Sequence, residues 1–420
     1  MSEGAGRPGE FREGWPIVLC AMLGIGLSLS SLPFYSLGPL AGELVRAFDW
    51  RLGQVMAGPS IVAATILLTS PIVGLLSDRF GVRRVVLISV PTFGLAFMAF
   101  ALGTGSIAQY YATWAVVAIA GAGSLPVTWT WAINSKFDAS KGLALGLALL
   151  GTGLFAYGVK PFIAWLLPLY GWRMTYVALG CLPVFVSFPL AWVFFKPERP
   201  PAGRKIGAEA LGPGRAEFLR QWRFWVLMAA LVPISFAVAG PIPNLETILA
   251  QAQLAESDVV TLASLLGLSV IAGRLAGGWL IDRLWAPAVG MALLSAAAVA
   301  CWLLAGESLS FTGAATAIVL FGLGTGVEFD LMAFLVARYF GMRIYGRVYG
   351  FVYAAFALGA GAGPIYFGHM FDSSQSYSDP LILSSALLVG GAALMLTLGR
   401  YRFHPPERPT KTHIDSPPRA

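Results

Sequence analysis

The chain predicts an all-α membrane protein with twelve transmembrane helices in two six-helix bundles, the bundles related by a parallel repeat. Three observations predict it: the composition, the spacing and flanking charge of the apolar runs, and a motif pair that recurs at a fixed offset. Of 420 residues, 57% are hydrophobic and only 12% charged, where an ordinary soluble domain carries about 25% charged residues. So few charges cannot clothe a surface in water.

A run that crosses a hydrocarbon core about 30 Å thick needs about 20 residues. Such runs lie near 15–40, 53–77, 84–104, 108–135, 142–168, 174–195, 222–250, 258–281, 286–305, 311–337, 344–370 and 380–400. The long polar connection 196–221 divides them six and six. The expected units are therefore a first bundle (1–195), a linker (196–221), a second bundle (222–400) and a polar tail (401–420). Residues 1–14 are polar and the first apolar run is longer than a leader's core, so no cleaved targeting segment is expected.

The basic residues set the orientation. With the amino terminus taken as cytoplasmic, 23 of the 28 Lys and Arg fall in inner segments. Only Arg46, Arg51 and Arg173 fall in outer ones, and Lys160 and Arg274 lie inside helices. That bias predicts a cytoplasmic-membrane protein with both termini in the cytoplasm. The net charge of +7 is thus a topology signal rather than a nucleic-acid footprint. Cys20, Cys181 and Cys301 sit in apolar runs without metal-ligand spacing, and the three histidines do not cluster. There is no nucleophile elbow, no HExxH and no P-loop, so neither an enzyme, a cofactor nor an ATP-driven pump is expected.

The halves match at an offset of 204 residues. Gly74, Asp78 and Arg79 correspond to Gly278, Asp282 and Arg283, and Gly142 and Gly146 to Gly346 and Gly350. Six spans per half keep both copies in the same orientation, and parallel repeats of this kind build transporters whose bundles rock about a central site.

The turn after the second span reads G-L-L-S-D-R-F-G-V-R-R from Gly74 to Arg84, with a degenerate copy G-G-W-L-I-D-R-L in the second half. With twelve spans and a long central loop, the chain resembles the major facilitator superfamily. That resemblance implies a gating role, on the cytoplasmic side, for Asp78, Arg79, Arg83, Asp282 and Arg283. Within the superfamily, E-G-W (Glu13–Trp15), F-D-W-R (Phe48–Arg51), F-D-A-S-K-G-L-A-L-G (Phe137–Gly146), G-W-R (Gly171–Arg173) and G-R-L-A-G-G-W-L-I-D-R (Gly273–Arg283) look like the monocarboxylate and oxalate–formate branch. The resemblance places Arg274 where that branch positions an arginine for the substrate carboxylate, and implies a monomer. The branch's first-span lysine is absent from Leu32–Tyr35, its eighth-span acid is replaced by Val270, and Tyr353–Gly363 holds no lysine. Substrate and coupled ion are left open by these departures.

The charges inside the spans carry the chemistry. A charge in mid-bilayer costs about 2.5–3.5 kcal/mol on insertion scales, so it faces a cavity or a partner. Arg274 is flanked by apolar turns on both sides, and its planar fork suits a carboxylate; the alternative is a structural ion pair. Glu328 and Asp330 are candidates for proton coupling, for pairing with Arg274, or for solvation near the outer surface. Two residues apart, they point to different helix faces. Lys160, before Pro161, is a second candidate anion contact or a snorkelling residue. Glu246, after P-I-P-N in a span where prolines predict a bend, is a candidate gate residue. Tyr35, Trp129, Tyr157, Phe329 and Tyr353 are candidate cavity-lining aromatics, with packing as the alternative. The expected function is secondary transport of a small organic anion, coupled to protons or a counter-anion, by alternating access through the lipid bilayer. The other reading is transport of a neutral or cationic compound with Arg274 paired internally.

Overall fold

A computed structural model describes residues 8–195, 217–251, 254–306 and 308–401; the linker and tail expected from the sequence fall largely outside these. Among the described residues every regular element is helical. The first half holds α1 (Pro8–Gly26), α2 (Leu32–Phe48), the short α3 (Leu52–Met56), α4 (Gly58–Phe80), α5 (Val82–Met98), α6 (Ile107–Gly121), α7 (Pro126–Lys136), α8 (Lys141–Leu182) and α9 (Phe188–Phe194). The second holds α10 (Trp222–Ala239), α11 (Pro241–Gln251), α12 (Glu256–Ile281), α13 (Ala286–Leu304), α14 (Phe311–Phe340), α15 (Tyr345–Ser374) and α16 (Ser378–Leu396).

Sixteen helices make twelve spans because several spans are broken and one helix turns a corner. The first span is α1 plus α2, interrupted at Leu27–Ser31, and the fourth is α6 plus α7, interrupted where Pro126 begins the second helix. Proline has no N–H to donate to the preceding turn, so a break costs least there. The two breaks meet: Leu29 N–H donates to Ser124 Oγ at 3.1 Å, which satisfies a backbone group that lipid could not. The seventh span breaks at Gly240–Pro241, as its prolines predict. The fifth and sixth spans run together in α8 and part at Gly171, whose φ of 73° only glycine adopts at little cost.

Ten helices pass by length and apolar composition alone as membrane-spanning. The first span falls short because Glu10, Arg12 and Glu13 crowd the start of α1. In the eighth, the apolar stretch is Leu265–Ile281, part of the longer α12. Large apolar side chains such as Leu68, Ile88, Leu95, Val116, Trp302 and Ile365 lie exposed around the perimeter, the surface that acyl chains cover.

The halves are joined by two crossings that the repeat makes equivalent. At the crossing of α12 with α8, a Cβ added at Gly142 would strike the carbonyl of Gly278, and one at Gly278 the carbonyl of Gly142. At that of α4 with α15, Gly74 and Gly346 stand in the same relation. Backbones this close tolerate no side chain. The contacts loosen along each pair. A Cβ at Gly153 would find its nearest atom, in Ile271, at 3.9 Å, and one at Gly361 would find Ala63 at 3.8 Å; at Gly368 nothing lies within 4 Å. Both tight ends lie on the side of the chain termini, where Glu10 accepts from the N–H groups of Ala139 and Ser140 at 3.2 and 3.1 Å. The molecule is closed on the terminal side and loosened towards the other.

Gly278→Val is expected to cost about 1–3 kcal/mol of stability by overpacking and to increase the reactivity of a cysteine placed at Ser140, read by thermal unfolding and maleimide labelling. A variant as stable and as unreactive as the parent would contradict the close-packed crossing.

Candidate functional site

Arg274 occupies the middle of the molecule. Glycine fixes its backbone from two sides: a Cβ at Gly146 on α8 would lie 2.7 Å from its carbonyl oxygen, and one at Gly326 on α14 would lie 2.8 Å from its nitrogen. The side chain is only 7% exposed, and Nη1 has no hydrogen-bond partner. Among the described residues no carboxylate approaches it within ion-pair distance. Its guanidinium carbon lies 5.9 Å from the Phe329 ring centre, and its charge acts on Tyr35, Glu328 and Asp330.

Glu328 and Asp330 sit in the second half of α14 and are both buried, so of the three alternatives left open by the sequence, solvation near the surface does not describe this structure. Glu328 Oε1 and both Asp330 oxygens lack hydrogen-bond partners. Asp330 faces α8, its Oδ2 lying 3.6 Å from where a Cβ on Gly146 would be. Two carboxylates and one guanidinium thus share a buried region with their capacity for hydrogen bonds to protein largely unused, an expensive arrangement unless function requires it.

Around them the aromatics sort by position. Tyr35, on α2 just after the first-span break, is 39% exposed and belongs to the first half, whereas Arg274 and Phe329 belong to the second. Phe329 packs on Phe356 at 4.6 Å and on Tyr353 at 6.3 Å between ring centres. Beneath Tyr353 a ladder continues through Tyr349 at 6.2 Å and Tyr345 at 5.4 Å. Tyr345 crosses to the first half, donating to Thr130 Oγ1 at 3.0 Å and accepting from Asn134 Nδ2 at 3.2 Å. Trp129 is not part of this cluster. It is fully buried inside the first half, its ring against Gly24 and Phe195 and its Nε1 donating to the Ser124 carbonyl at 2.9 Å. Packing, not cavity lining, is its role in this arrangement. Tyr157 is 85% exposed and lies on the same face of α8 as Gly146, but eleven residues, or ~16 Å, further along. Lys160 and Glu246 lie in α8 and α11; their side chains fall outside the described residues.

The repeat shows how uneven this centre is. At the offset of 204, Arg274 corresponds to Ser70 and Glu328 to Ser124. Ser70 is satisfied across the crossing, donating to the Gly350 carbonyl at 2.8 Å, and Ser124 donates to Gly121 at 2.7 Å. Where the first half has serines with partners, the second has charges without them.

At the closed end, Asp78 accepts from the N–H groups of Gly346 and Arg347 at 3.1 and 3.0 Å. Asp282 accepts from Gly142 and Leu143 at 2.6 and 2.9 Å. Each carboxylate caps the first turn of a helix in the opposite half, where N–H groups lack intrahelical partners and the helix dipole favours a negative charge. The basic residues that adjoin these aspartates in sequence also make contacts within their own half. Arg83 donates to the Trp192 carbonyl at 3.2 Å within the first half, Arg283 lies on Trp279 at 3.9 Å, and Arg79 lies beside Phe80 at 5.3 Å. Among the described residues two side-chain ion pairs cross between the halves here: Arg338 with Asp138 at 3.5 Å, with Lys141 also 3.7 Å from Asp138, and Arg347 Nε with Asp78 at 4.0 Å. No spacing in the sequence couples positions 138 and 338; only the fold brings them together.

The family model for the Major Facilitator Superfamily matches residues 23–364. The chain belongs to that superfamily. Its members are transporters rather than enzymes, and this one is a multi-pass membrane protein. It is 26% identical over 409 residues to monocarboxylate transporter 13 of Bos taurus, covering 92% of this chain and 90% of that protein. It is 27% identical over 408 residues to monocarboxylate transporter 11 of Homo sapiens, covering 92% and 83%. The fold matches the crystal structure of the human organic anion transporter MFSD10 with a TM-score of 0.69 at 18% identity, over 93% of this chain and 100% of that one.

Burial raises the Asp282 carboxyl to about 6, against the pull of its hydrogen bonds from Leu143 and Gly142 and of Arg338 and Arg283. Opening the crossing exposes this carboxyl to solvent and returns it towards its ordinary value of 3.8. The closed arrangement therefore binds the proton more tightly, and closure gains as pH falls through about 6. Maleimide labelling of a cysteine at Ser140, taken relative to a free thiol at the same pH because only the thiolate reacts, should slow between pH 7 and pH 5.5, and Asp282→Asn should remove that part of the pH dependence. A rate that rises on acidification has the wrong sign for this mechanism.

Proposed function

We propose that this transporter moves a small organic anion, a monocarboxylate, across the cytoplasmic membrane by alternating access in symport with a proton. The observation that carries this reading is Arg274: a permanent positive charge, buried between the halves, with an unused donor and no carboxylate in ion-pair contact. A guanidinium in a buried site is suited to meet a planar anion. A charge-assisted hydrogen bond worth about 1.5–3 kcal/mol holds such a solute without trapping it. Tyr35 from the first half and Phe329 and Tyr353 from the second supply walls on both sides, so a solute there touches both bundles. The names of the curated relatives agree with the substrate class.

The charge balance supports the choice of proton. With Glu328 and Asp330 both ionised, the cluster with Arg274 is already negative by one, and a bound carboxylate would make it negative by two. Low dielectric magnifies that repulsion, so uptake of a proton by one of the two carboxylates accompanies loading. A counter-anion would instead occupy Arg274 in the return step. The excess of Lys and Arg on the terminal side supports a cytoplasmic placement of that side, and with it the reading of the closed end as the inner gate.

In proteoliposomes, saturable uptake of lactate or pyruvate should rise when the outside is made acidic. Arg274→Gln should lower it by at least about tenfold, the loss of one charged hydrogen bond, with the unfolding midpoint little changed. Uptake of a neutral analogue at the parent rate, with carboxylates inert, would sink the anion reading. Separately, Asp330→Asn and Glu328→Gln should identify the coupling acid: one of them should lose the response to a pH gradient while retaining carboxylate exchange.

A further inference from the structure

Beside the α4–α15 crossing lies a cavity of about 650 Å³ that the transport cycle described above does not use. Arg79 comes to it from the end of α4, Arg343 from the turn before α15 and Arg347 from the first turn of α15. Asp78 is also on its wall, but that carboxylate is engaged by the N–H groups of Gly346 and Arg347, with Arg347 Nε 4.0 Å away. The remaining lining is largely apolar, including Ile72, Leu75 and Phe351.

The repeat provides an internal comparison. At the equivalent α12–α8 crossing, Arg79 has its counterpart in Arg283, but Arg343 and Arg347 correspond to Ala139 and Leu143. Basic charge at that crossing is offset by Asp138, which pairs with Arg338 and Lys141. Closing the gate needs only the aspartate and the helix N–H groups, which both crossings have. Arg347 also stands beside Asp78, and the guanidinium of Arg343 is surplus to that task.

The setting identifies what they meet. Leu68, Ile72, Leu75 and Leu76 form one exposed apolar face of α4 leading into the cavity, and Trp222 and Trp225 are exposed at the same end. Tryptophans at this level mark the boundary between hydrocarbon and headgroups. Basic pockets between helices at that depth, open to lipid along an apolar wall, suit an anionic headgroup. The geometry points to a binding site for an anionic phospholipid: its phosphate between Arg79 and the Arg343–Arg347 pair, its acyl chains along α4. Because Arg79 belongs to the first half and the other two to the second, a lipid bound there bridges the halves and favours the closed terminal side. This inference does not depend on the solute carried at Arg274.

The test uses the full-length protein in detergent, with phosphatidylglycerol, phosphatidylcholine or inorganic phosphate as probe, read by native mass spectrometry and by the unfolding midpoint. Phosphatidylglycerol should stay bound and raise the midpoint more than phosphatidylcholine at equal concentration. Arg79→Gln with Arg343→Gln should weaken that binding about tenfold, and Arg84→Gln, which removes an exposed charge outside the cavity, should not. Equal effects of the two lipids, equal loss in Arg84→Gln, or full reproduction of the shift by inorganic phosphate would each overturn the lipid site. The comparison of lipids on the parent protein reads the outcome even if the double variant does not fold.

Discussion

Two carboxylates, each seated on the exposed N–H groups of a helix from the other half, hold this molecule in its closed-ended form. Asp78 caps α15 and Asp282 caps α8. Neither can do so unless the helices approach to backbone contact, and the glycines at 74, 142, 278 and 346 make that approach possible. The same tight crossing sets the chemistry deeper in. Gly146 lies one turn beyond Gly142 and touches the backbone of Arg274, one turn before Gly278. The gate and the central charge therefore sit on a single rigid seam. A movement that opens the first must shift what surrounds the second.

The repeat builds a symmetric frame, and function follows where the symmetry fails. Matching positions carry Ser70 and Arg274, Ser124 and Glu328, and Ala139 and Arg343. In each pair the small or neutral residue satisfies local packing or hydrogen bonding, and the charged one exceeds what the fold needs. Buried charge is costly in lipid, and in the pairs Ser70 with Arg274 and Ser124 with Glu328 only the member from the second half carries it. Under the proposed function, a centre polarised in this way would present one guanidinium to the solute, with the carboxylates of α14 close enough for its charge to act on them.

Much of this was legible in the chain. The number of spans, the parallel repeat and the bend in the seventh span follow from hydropathy and spacing; the cost of intramembrane charge singles out Arg274, and the repeat singles out Asp78 and Asp282, as candidates. The superfamily is confirmed by the family match. Aromatic roles were less legible, because a ring in an apolar helix looks the same whether it packs or lines a path. Trp129 shows this: it fills the space over Gly24 inside the first half. The contacts of the basic residues beside the gate were also less legible. Arg79, Arg83 and Arg283 adjoin the key aspartates in sequence, yet their guanidinium groups stack on or donate to neighbours in their own half.

What the chain alone determines is whatever depends on periodicity and on transfer from water to lipid, since those quantities are local and additive: helices, spans and the positions where charge is out of place. What only the tertiary structure decides is partnership. That Asp138 meets Arg338, that Tyr345 reaches Thr130 and Asn134, and that Arg274 lies between Gly146 and Gly326 with a donor unused are consequences of how helices far apart in sequence cross. A crossing is set by the shapes of two surfaces together, and neither surface is written in one stretch of sequence.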